Sequence, residues 1–409
     1  MRKFTFLCLL MPFLVSNVFA WKLGDPIKDT SKVKKSEKPE ETTKKKDDET
    51  GFSFSGYVDA YYSYNFNNPY SDGNDGRIFD VRHDNMSLGL VQTAIGYKSE
   101  KSEVFLDLGF GPNAELGNFG NTIGFGDGTG SSSLSIKQAY FAYNFSDKVK
   151  LTVGQYGTHV GYELIDAPLN FNYSLSYLFG NGPFYHTGAK FDFSLSDNFG
   201  FMLGVVNGWD ALVDYNDKKS IAAQVYFAPV EQWNVYLNYL GGDEYDPREA
   251  GAAGNSYFGS YSGSMTNIFD LTTTFQASEK FLIGVNAALG LYATGAKEED
   301  ANDPYTKDAT WGGAALYLNY AASEKFGIGL RSEYFEDYSG IRYPATPGFQ
   351  ALAFTLTGDV KLDGGRFNIK PELRLDTNKT EFFTPSGTDG ASKKSMFTAG
   401  LAFVYSFGK

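Results

Sequence analysis

After the first fifty residues, apolar and polar residues alternate along the chain with a period of two. The stretch 366–376 shows the pattern most clearly, because its apolar residues alternate with charged ones. The apolar positions there are Phe367, Ile369, Leu373 and Leu375, and the charged positions between them include Arg366, Lys370, Glu372, Arg374 and Asp376. Successive side chains of a β-strand point to opposite faces, so this alternation predicts strands with one apolar and one polar face.

The connections between the predicted strands alternate between short turns and long polar loops. The seven short turns lie at 98–103, 145–150, 195–199, 228–233, 277–281, 322–326 and 363–366. The eight long loops lie at 67–85, 111–133, 158–183, 208–219, 241–264, 294–310, 336–350 and 377–394. Short turns at one rim and long loops at the other are typical of bacterial outer-membrane barrels, in which the turns are periplasmic.

Seven turns and eight loops predict about sixteen strands, or fourteen or eighteen if one hairpin is miscounted. We therefore predict an all-β fold, a transmembrane antiparallel up-and-down β-barrel over 51–409, with both termini in the periplasm. The barrel must close because an unpaired strand edge leaves backbone groups without partners in lipid. At this size the interior is too wide for side chains to fill, so an aqueous channel is expected.

The first fifty residues lack the alternation and divide into two segments. Residues 1–20 combine Arg2 and Lys3 with an apolar run and a small residue, Ala20, which is typical of a secretory signal peptide. A membrane-spanning helix is the alternative, but the apolar run is short for about 30 Å of hydrocarbon. Residues 21–50 are rich in Lys, Glu, Asp and Thr, which predicts a disordered, charged periplasmic linker.

Composition and charge narrow the classes of function. The formal net charge is −12, and removal of Arg2 and Lys3 with the signal would take it to −14. Such an acidic chain is a poor binder of nucleic acid, which requires clustered Lys and Arg. Aromatic residues make up 17% of the chain although its mean hydropathy is −0.30, because apolar and polar positions are finely interleaved. The single cysteine, Cys8, lies in the predicted signal, so no disulfide or thiolate metal site is expected in the mature chain.

A signature within 154–210 links the chain to a known family. Its elements are Gly154-Gln155-Tyr156, Thr158-His159, Gly161-Tyr162-Glu163, Asn172-Tyr173-Ser174, His186-Thr187-Gly188 and Asn207-Gly208-Trp209-Asp210. Together with the opening stretch 56–69, they resemble the OmpL-like β-barrel porin family of the porin-2 type, from residue 51 to the end of the chain. The resemblance implies an outer-membrane barrel that acts as a porin. It implies neither an established substrate nor a catalytic residue.

The third long loop, 158–183, contains most of this signature and is unusually apolar for a loop outside the membrane. Apolar residues would pack on the nearest surface, the inner wall, and Glu163 and Asp166 would then reach an aqueous constriction. In sixteen-strand porins the third loop folds into the lumen in this way, which is an analogy at the level of the fold. The alternative is a loop that packs over the rim with its acids in solvent.

Charged residues on the polar faces of several strands are predicted to line the lumen. They are Asp59 on the first strand, Lys190 and Asp192 on the sixth, Arg331 and Glu333 on the thirteenth, and Lys370, Glu372 and Arg374 on the fifteenth. The thirteenth strand lies about half-way round the barrel from the fifth, so Arg331 would face the acidic loop and create a transverse field across a constriction. The alternative is that these are ordinary lumen charges, solvated by channel water.

The predicted function is that of a passive diffusion channel for small hydrophilic solutes. The alternative is a surface protein whose extracellular loops bind a ligand or a host partner. Enzyme chemistry is not expected, because Ser174 and Ser176 could meet a histidine but no tight catalytic motif surrounds them. No cofactor or metal is predicted, since the three histidines lack metal-ligand spacing. The expected partners are outer-membrane lipid, lipopolysaccharide and the barrel assembly machinery, with monomer and trimer both open.

Overall fold

The structure, a computed structural model, describes residues 51–70, 73–117, 134–214, 216–244, 263–299, 306–344, 346, 348–387 and 390–408. The predicted signal peptide and linker, 1–50, lie outside the described residues. The part of the chain that is described forms one closed antiparallel barrel of sixteen strands. No helix in that part is long and apolar enough to cross a membrane.

The strands follow one another with few helical interruptions. They are β1 (Gly51–Asn65), β2 (Asn85–Lys98), β3 (Ser102–Phe110), β4 (Leu134–Ser146), β5 (Val149–Gly157), β6 (Tyr185–Ser196), β7 (Phe199–Val206), β8 (Ser220–Val230), β9 (Trp233–Asp243), β10 (Met265–Ser278), β11 (Phe281–Ala293), β12 (Ala309–Ser323), β13 (Phe326–Asp337), β14 (Phe349–Leu362), β15 (Phe367–Asn378) and β16 (Ser395–Gly408). The described α-helices are α1 (Pro112–Leu116) and α2 (Tyr177–Gly180), and 3-10 turns lie at Ala167–Leu169 and Asp363–Gly365.

Each strand pairs with its neighbours in sequence, and β1 pairs with β16 to close the barrel. The closing register runs from Ser55 opposite Gly408 to Asn65 opposite Thr398. A closed ladder has no edge strand, which is the condition that hydrocarbon imposes on a sheet, because no water is present to satisfy free backbone groups. The predicted up-and-down barrel of sixteen strands is confirmed.

The period-two pattern of the sequence separates the lumen from the outer surface. Along β14, Thr355 and Thr357 point inward and are fully buried, whereas Phe354 and Leu356 point outward and are exposed. The exposed apolar side chains form a band that lipid would cover, as alternation requires of a transmembrane barrel. Polar and charged side chains therefore collect inside the barrel.

The seven predicted turns and eight predicted loops are the connections of this barrel. We number the long loops by order, so that loop 1 (66–84) joins β1 to β2 and loop 3 (158–184) joins β5 to β6. Loop 4 (207–219) joins β7 to β8, and loop 6 (294–308) joins β11 to β12. Loop 3 is the loop that enters the lumen and organises the candidate site.

Candidate pore site

Loop 3 leaves the rim and crosses the inside of the barrel. Its two ends meet, since the Thr158 N–H donates to the Phe184 carbonyl at 3.1 Å. The loop keeps its own shape through the 3-10 turn Ala167–Leu169 and helix α2, whose N-cap residue Ser176 accepts a hydrogen bond from the Phe179 N–H. The residues between these ends contact inward-facing side chains on strands from β1 to β15. The structure thus places the loop in the lumen and not over the rim.

A buried ion pair fixes one side of loop 3 to the barrel wall. Arg331 of β13 donates to Glu163 at 2.5 Å and to the Ser174 carbonyl at 2.6 Å, both in the loop. Its second terminal nitrogen donates to Thr355 of β14 at 3.1 Å. The side chains of Arg331 and Glu163 are 0% and 3% exposed. Charges withdrawn from water this far require a partner and hydrogen bonds, and here each charge supplies the other's partner.

Two carboxylates of the same wall accept hydrogen bonds from the backbone of loop 3. Glu333 of β13 accepts from the first two N–H groups of helix α2 at 3.0 and 2.8 Å. Glu372 of β15 accepts from the N–H groups of Tyr173 and Ser174 at 2.9 and 3.1 Å. A buried N–H without a partner costs about as much as a lost hydrogen bond. The wall therefore supplies acceptors that the irregular loop cannot supply to itself.

The cations of β15 bind the carbonyl groups of loop 3. Lys370 donates to the Phe171 carbonyl at 3.2 Å and also to the carbonyl of the residue before it. Arg374 donates to the Leu175 carbonyl at 2.7 Å and pairs with Asp376 of its own strand at 2.8 Å. Carboxylates and cations thus alternate along this wall, and they match the N–H and carbonyl groups of the loop.

The tip of loop 3 returns toward the side of the barrel from which the loop began. Asp166 forms an ion pair with Lys137 of β4 at 2.5 Å, and Lys137 also lies 3.1 Å from Asp107 of β3. The Tyr173 hydroxyl of loop 3 donates to Asp59 of β1 at 2.6 Å. Contacts with β4 on one side and with β13 on the other mean that the loop spans the lumen.

Glycines in two strands make room for aromatic rings of loop 3. Tyr162 stacks on Tyr317 of β12 with ring centroids 4.2 Å apart, and a Cβ on Gly284 of β11 would overlap Tyr162. A Cβ on Gly329 of β13 would overlap the ring of Phe171. A glycine inside a strand is expected where another group approaches the backbone closely. The inner wall is therefore shaped to receive this loop.

The remaining residues of the family signature hold loops 3 and 4 in place. Gly161 N–H donates to Asp270 at 3.1 Å, Asn172 donates to Thr357 at 2.7 Å, and His186 contacts Thr158 Oγ1 at 2.9 Å. In loop 4, Asn207 donates to the Leu212 carbonyl at 3.0 Å, and the Trp209 N–H donates to Glu244 at 2.8 Å. Asp210 accepts from the N–H groups of Phe184 and Tyr185 at 2.6 and 3.0 Å. Gly188 and Gly208 lie where a Cβ would overlap Val205 and Glu244 respectively.

The charges predicted for the lumen wall touch the loop instead of facing it across water. Arg331, Glu333, Lys370, Glu372 and Arg374 are all buried, with exposed fractions of 9% or less. Their side chains are long enough to reach the backbone of the loop, and the buried loop needs those partners. A transverse field across open water is thus not what this wall provides, because its charges are buried in contacts with the loop. The residues that bound the constriction stay a prediction.

Four charged side chains on β3, β5 and β6 keep contact with water. Lys190 and Asp192 of β6, both predicted to face the lumen, lie 3.7 Å apart and are 23% and 15% exposed. Glu103 of β3 and Lys150 of β5 lie 3.4 Å apart and are 30% and 21% exposed. Sequence reasoning missed Glu103 and Lys150 because they fall at the ends of predicted turns. Their polar positions next to alternating residues were the signal that could have identified them.

Neither serine considered for catalysis has a base as its partner. Ser174 Oγ lies 3.3 Å from Arg374, from which it accepts a hydrogen bond, and Ser176 caps helix α2. Among the residues that the structure describes, no group of three or more His, Cys, Asp or Glu side chains could hold a metal ion. The polar groups of the site thus hold a loop, and their arrangement suits a pore better than a reaction centre.

Acid is expected to loosen the root of loop 3 through His159. His159 Nε2 lies 2.9 Å from the Tyr239 carbonyl, and its ring centroid lies 5.3 Å from that of His186. Burial lowers the pKa of His159 from 6.5 to about 4, and the Lys190 ammonium adds to the decrease. The stability that the neutral ring contributes is therefore complete above pH 6.5 and is lost as the pH falls toward 4.

A spin label on loop 3 measures this loosening. The mature chain would have no cysteine, so Leu169→Cys offers a single exposed attachment point on the loop. We expect label mobility to rise between pH 6.5 and pH 4, and His159→Gln to reduce that rise. His83→Gln in loop 1 is the matched control and should leave the rise unchanged. Equal mobility at both pH values in the otherwise unchanged chain would contradict the role of His159.

Solved structures of outer-membrane proteins share this fold. The chain is similar to an anion-selective porin from Comamonas acidovorans, at 9% identity and a TM-score of 0.57, over 88% of this chain and 100% of that one. It is similar to the outer membrane channel DcaP of Acinetobacter baumannii, at 13% identity and a TM-score of 0.56, over 87% and 97%. OprB of Pseudomonas putida matches at 13% identity and a TM-score of 0.53, over 87% and 94%. At identities this low, the structural likeness shows a common fold alone.

A family model establishes more than the fold. The model described as "Putative beta-barrel porin-2, OmpL-like" matches residues 51–407, which is nearly the whole predicted barrel. A comparison with curated protein sequences finds no match. Family and fold point to a channel rather than an enzyme, and to the outer membrane. The chain therefore belongs to the beta-barrel porin-2, OmpL-like family and is an outer-membrane porin channel.

Proposed function

We propose that the chain conducts small hydrophilic solutes by passive diffusion through a narrow passage beside loop 3. The observation that supports this proposal is the difference between the two faces of the loop. Glu163 is buried against β13, whereas the next residue, Leu164, is only partly buried. Leu169, at the end of the 3-10 turn, is 45% exposed. One face of the loop is fixed to the wall, and the other borders the space through which solutes would pass.

The far border of this passage is the wall formed by β3 to β6. Its water-exposed charges occur as pairs of opposite sign, Glu103 with Lys150 and Lys190 with Asp192. The electric fields of two opposite charges a few ångströms apart largely cancel at distances beyond their separation. Salt at 0.1 M screens the remainder over a Debye length of about 10 Å. We therefore expect the passage to discriminate only weakly between small cations and small anions.

Single-channel current through the purified mature protein in a planar bilayer tests the proposal. We expect steady open steps in KCl, and a reversal potential close to zero under a salt gradient because the exposed charges are balanced. No current from a folded, heat-modifiable barrel would contradict the diffusion channel. The surface protein whose loops bind a ligand would then be favoured. A large reversal potential would contradict the balance of charges in the passage.

We also propose how the barrel is oriented and what surrounds it. An even number of strands puts both termini at the rim of the tight turns, which is periplasmic in bacterial barrels. The exposed apolar band would contact outer-membrane lipid and lipopolysaccharide, and the barrel assembly machinery would insert it. Solutes would pass unchanged, without catalysis, since the polar side chains of the site are used to hold loop 3.

A further inference from the structure

We infer that Glu103, Lys150, Asp192 and Lys190 form a binding site for small zwitterionic solutes, molecules that carry an ammonium and a carboxylate group a few atoms apart. We call these four residues the charged strip. The inference rests on the proposed function, because the strip lies on the lumen wall that borders the proposed passage. It goes further by naming the class of solute that would be retained there.

The strip alternates in sign across three strands. Glu103 of β3 lies 3.4 Å from Lys150 of β5, and Lys190 of β6 lies 3.7 Å from Asp192 on the same strand. Lys150 and Asp192 are register partners in the ladder between β5 and β6. Side chains on one face that are directly opposite in a ladder have Cβ atoms about 5 Å apart. The order of charges along the strip is therefore negative, positive, negative, positive.

The ion pairs of the strip differ from those that anchor loop 3. The anchoring pairs are short and dry, such as Arg331 with Glu163 at 2.5 Å, with exposed fractions of 0% and 3%. The pairs of the strip are longer, and their side chains are 15% to 30% exposed. Exposed ion pairs stabilise a protein little, and a Lys ammonium has three donors to share. A ligand can therefore replace one contact of the strip at low cost.

Small residues flank the strip on the inner wall. Thr152 of β5 is the register partner of Ala142 on one side and of Lys190 on the other. Lys190 is in turn the partner of Gly204 on β7. These small residues lie beside the longer charged ones and leave the charged ends partly exposed to the lumen. The Lys190 ammonium lies 5.2 Å from the centroid of the Tyr156 ring. The Tyr140 hydroxyl donates to Glu103 at 3.2 Å and orients that carboxylate at one end of the strip.

The alternation selects a solute with both charges. A solute carboxylate can lie between the ammonium groups of Lys150 and Lys190, and its ammonium then reaches Asp192 or Glu103. A simple anion or cation would satisfy half of the strip and would meet repulsion from the other half. A neutral solute would gain no charge-assisted hydrogen bond, which is roughly twice as strong as a neutral one.

Saturation-transfer NMR on the folded barrel in detergent tests the site with glycine as the probe and acetamide as a neutral molecule of similar size. We expect transfer to glycine and little transfer to acetamide. The double variant Glu103→Gln/Lys150→Met should bind glycine about tenfold more weakly, the loss expected for two partly exposed charge contacts. The matched control is Asp359→Asn/Lys361→Met, which removes a pair 3.9 Å apart on β14 and should leave glycine binding unchanged.

Two outcomes would overturn the inference. The first is equal transfer to glycine and acetamide, and the second is an equal loss in both double variants. Current in KCl, measured on the same preparation, separates this result from the proposed function. A conducting barrel without a preference for glycine overturns the zwitterion site alone. A barrel that binds glycine but does not conduct overturns passive diffusion and supports the site.

Discussion

Deletion of residues 164–178 from loop 3 is expected to raise single-channel conductance by at least about twofold, because a sixteen-strand barrel without an inward loop leaves an open aqueous channel. The deletion removes the segment that runs from the Arg331 wall to Lys137 on β4 and back. The barrel should tolerate the loss. Arg331, Glu333 and Arg374 would then lie in channel water, which solvates the charges in place of their buried contacts with the loop.

The deletion requires a check on folding and a control on loop length. Heat-modifiable migration establishes that the shortened chain still forms a closed barrel. Removal of 297–299 from loop 6, an exposed segment outside the lumen contacts, shortens another loop and should leave conductance unchanged. Unchanged conductance in a folded barrel without 164–178 would show that loop 3 does not set the width of the pore.

Replacement of Arg331 by methionine is expected to destabilise the folded barrel by about 3–5 kcal/mol, the usual cost of leaving one member of a buried ion pair behind. Glu163 would keep the Ser176 N–H as its partner, and Glu333 would keep two N–H groups, but neither would have the cation. Loop 3 should then separate from the wall until water reaches the carboxylates. We expect larger fluctuations of the open-channel current together with the loss of stability.

A double-mutant cycle separates the pair from its surroundings. Glu163→Gln/Arg331→Met removes both charges of the pair at similar volume and should recover much of the stability lost in Arg331→Met, since Glu163 no longer leaves a buried charge without its partner. Lys361→Met removes a looser, more exposed pair and should cost less than about 1 kcal/mol. Denaturant unfolding of the folded barrel measures the stability of each variant. If Arg331→Met loses no more stability than Lys361→Met, the anchoring role of Arg331 is contradicted.

The barrel was predictable because its signal is local. Alternation in a stretch such as 366–376 reports which side chains share a face, and the spacing of turns reports the number of strands. The same argument selected Arg331 and Lys370 as inward-facing residues. The sequence predicted that Arg331 faces the acidic loop across water. It did not predict the direct contact with Glu163, which lies 168 residues away in the chain. The pattern within a strand carries no information on what fills the lumen.

The missing information was partly present as glycine. Gly284 and Gly329 occupy inward positions of otherwise regular strands, where a missing side chain indicates that another group approaches the backbone. The sequence alone could not identify that group as Tyr162 or Phe171, since each ring belongs to a loop more than a hundred positions earlier. The apolar content of loop 3 and the glycines of these two recesses indicate the same contact, from the loop and from the wall respectively.

The recesses and charges that receive loop 3 also impose an order on the biogenesis of the protein. The loop belongs to the hairpin of β5 and β6, whereas its partners Glu333 and Glu372 follow it by 155 to 199 residues. Contacts so distant in sequence form late, because the intervening chain must first be brought into place. Until β13 and β15 are in place, loop 3 therefore lacks the wall partners that hold it across the lumen. The working width of the pore is set only when the last third of the chain has been inserted.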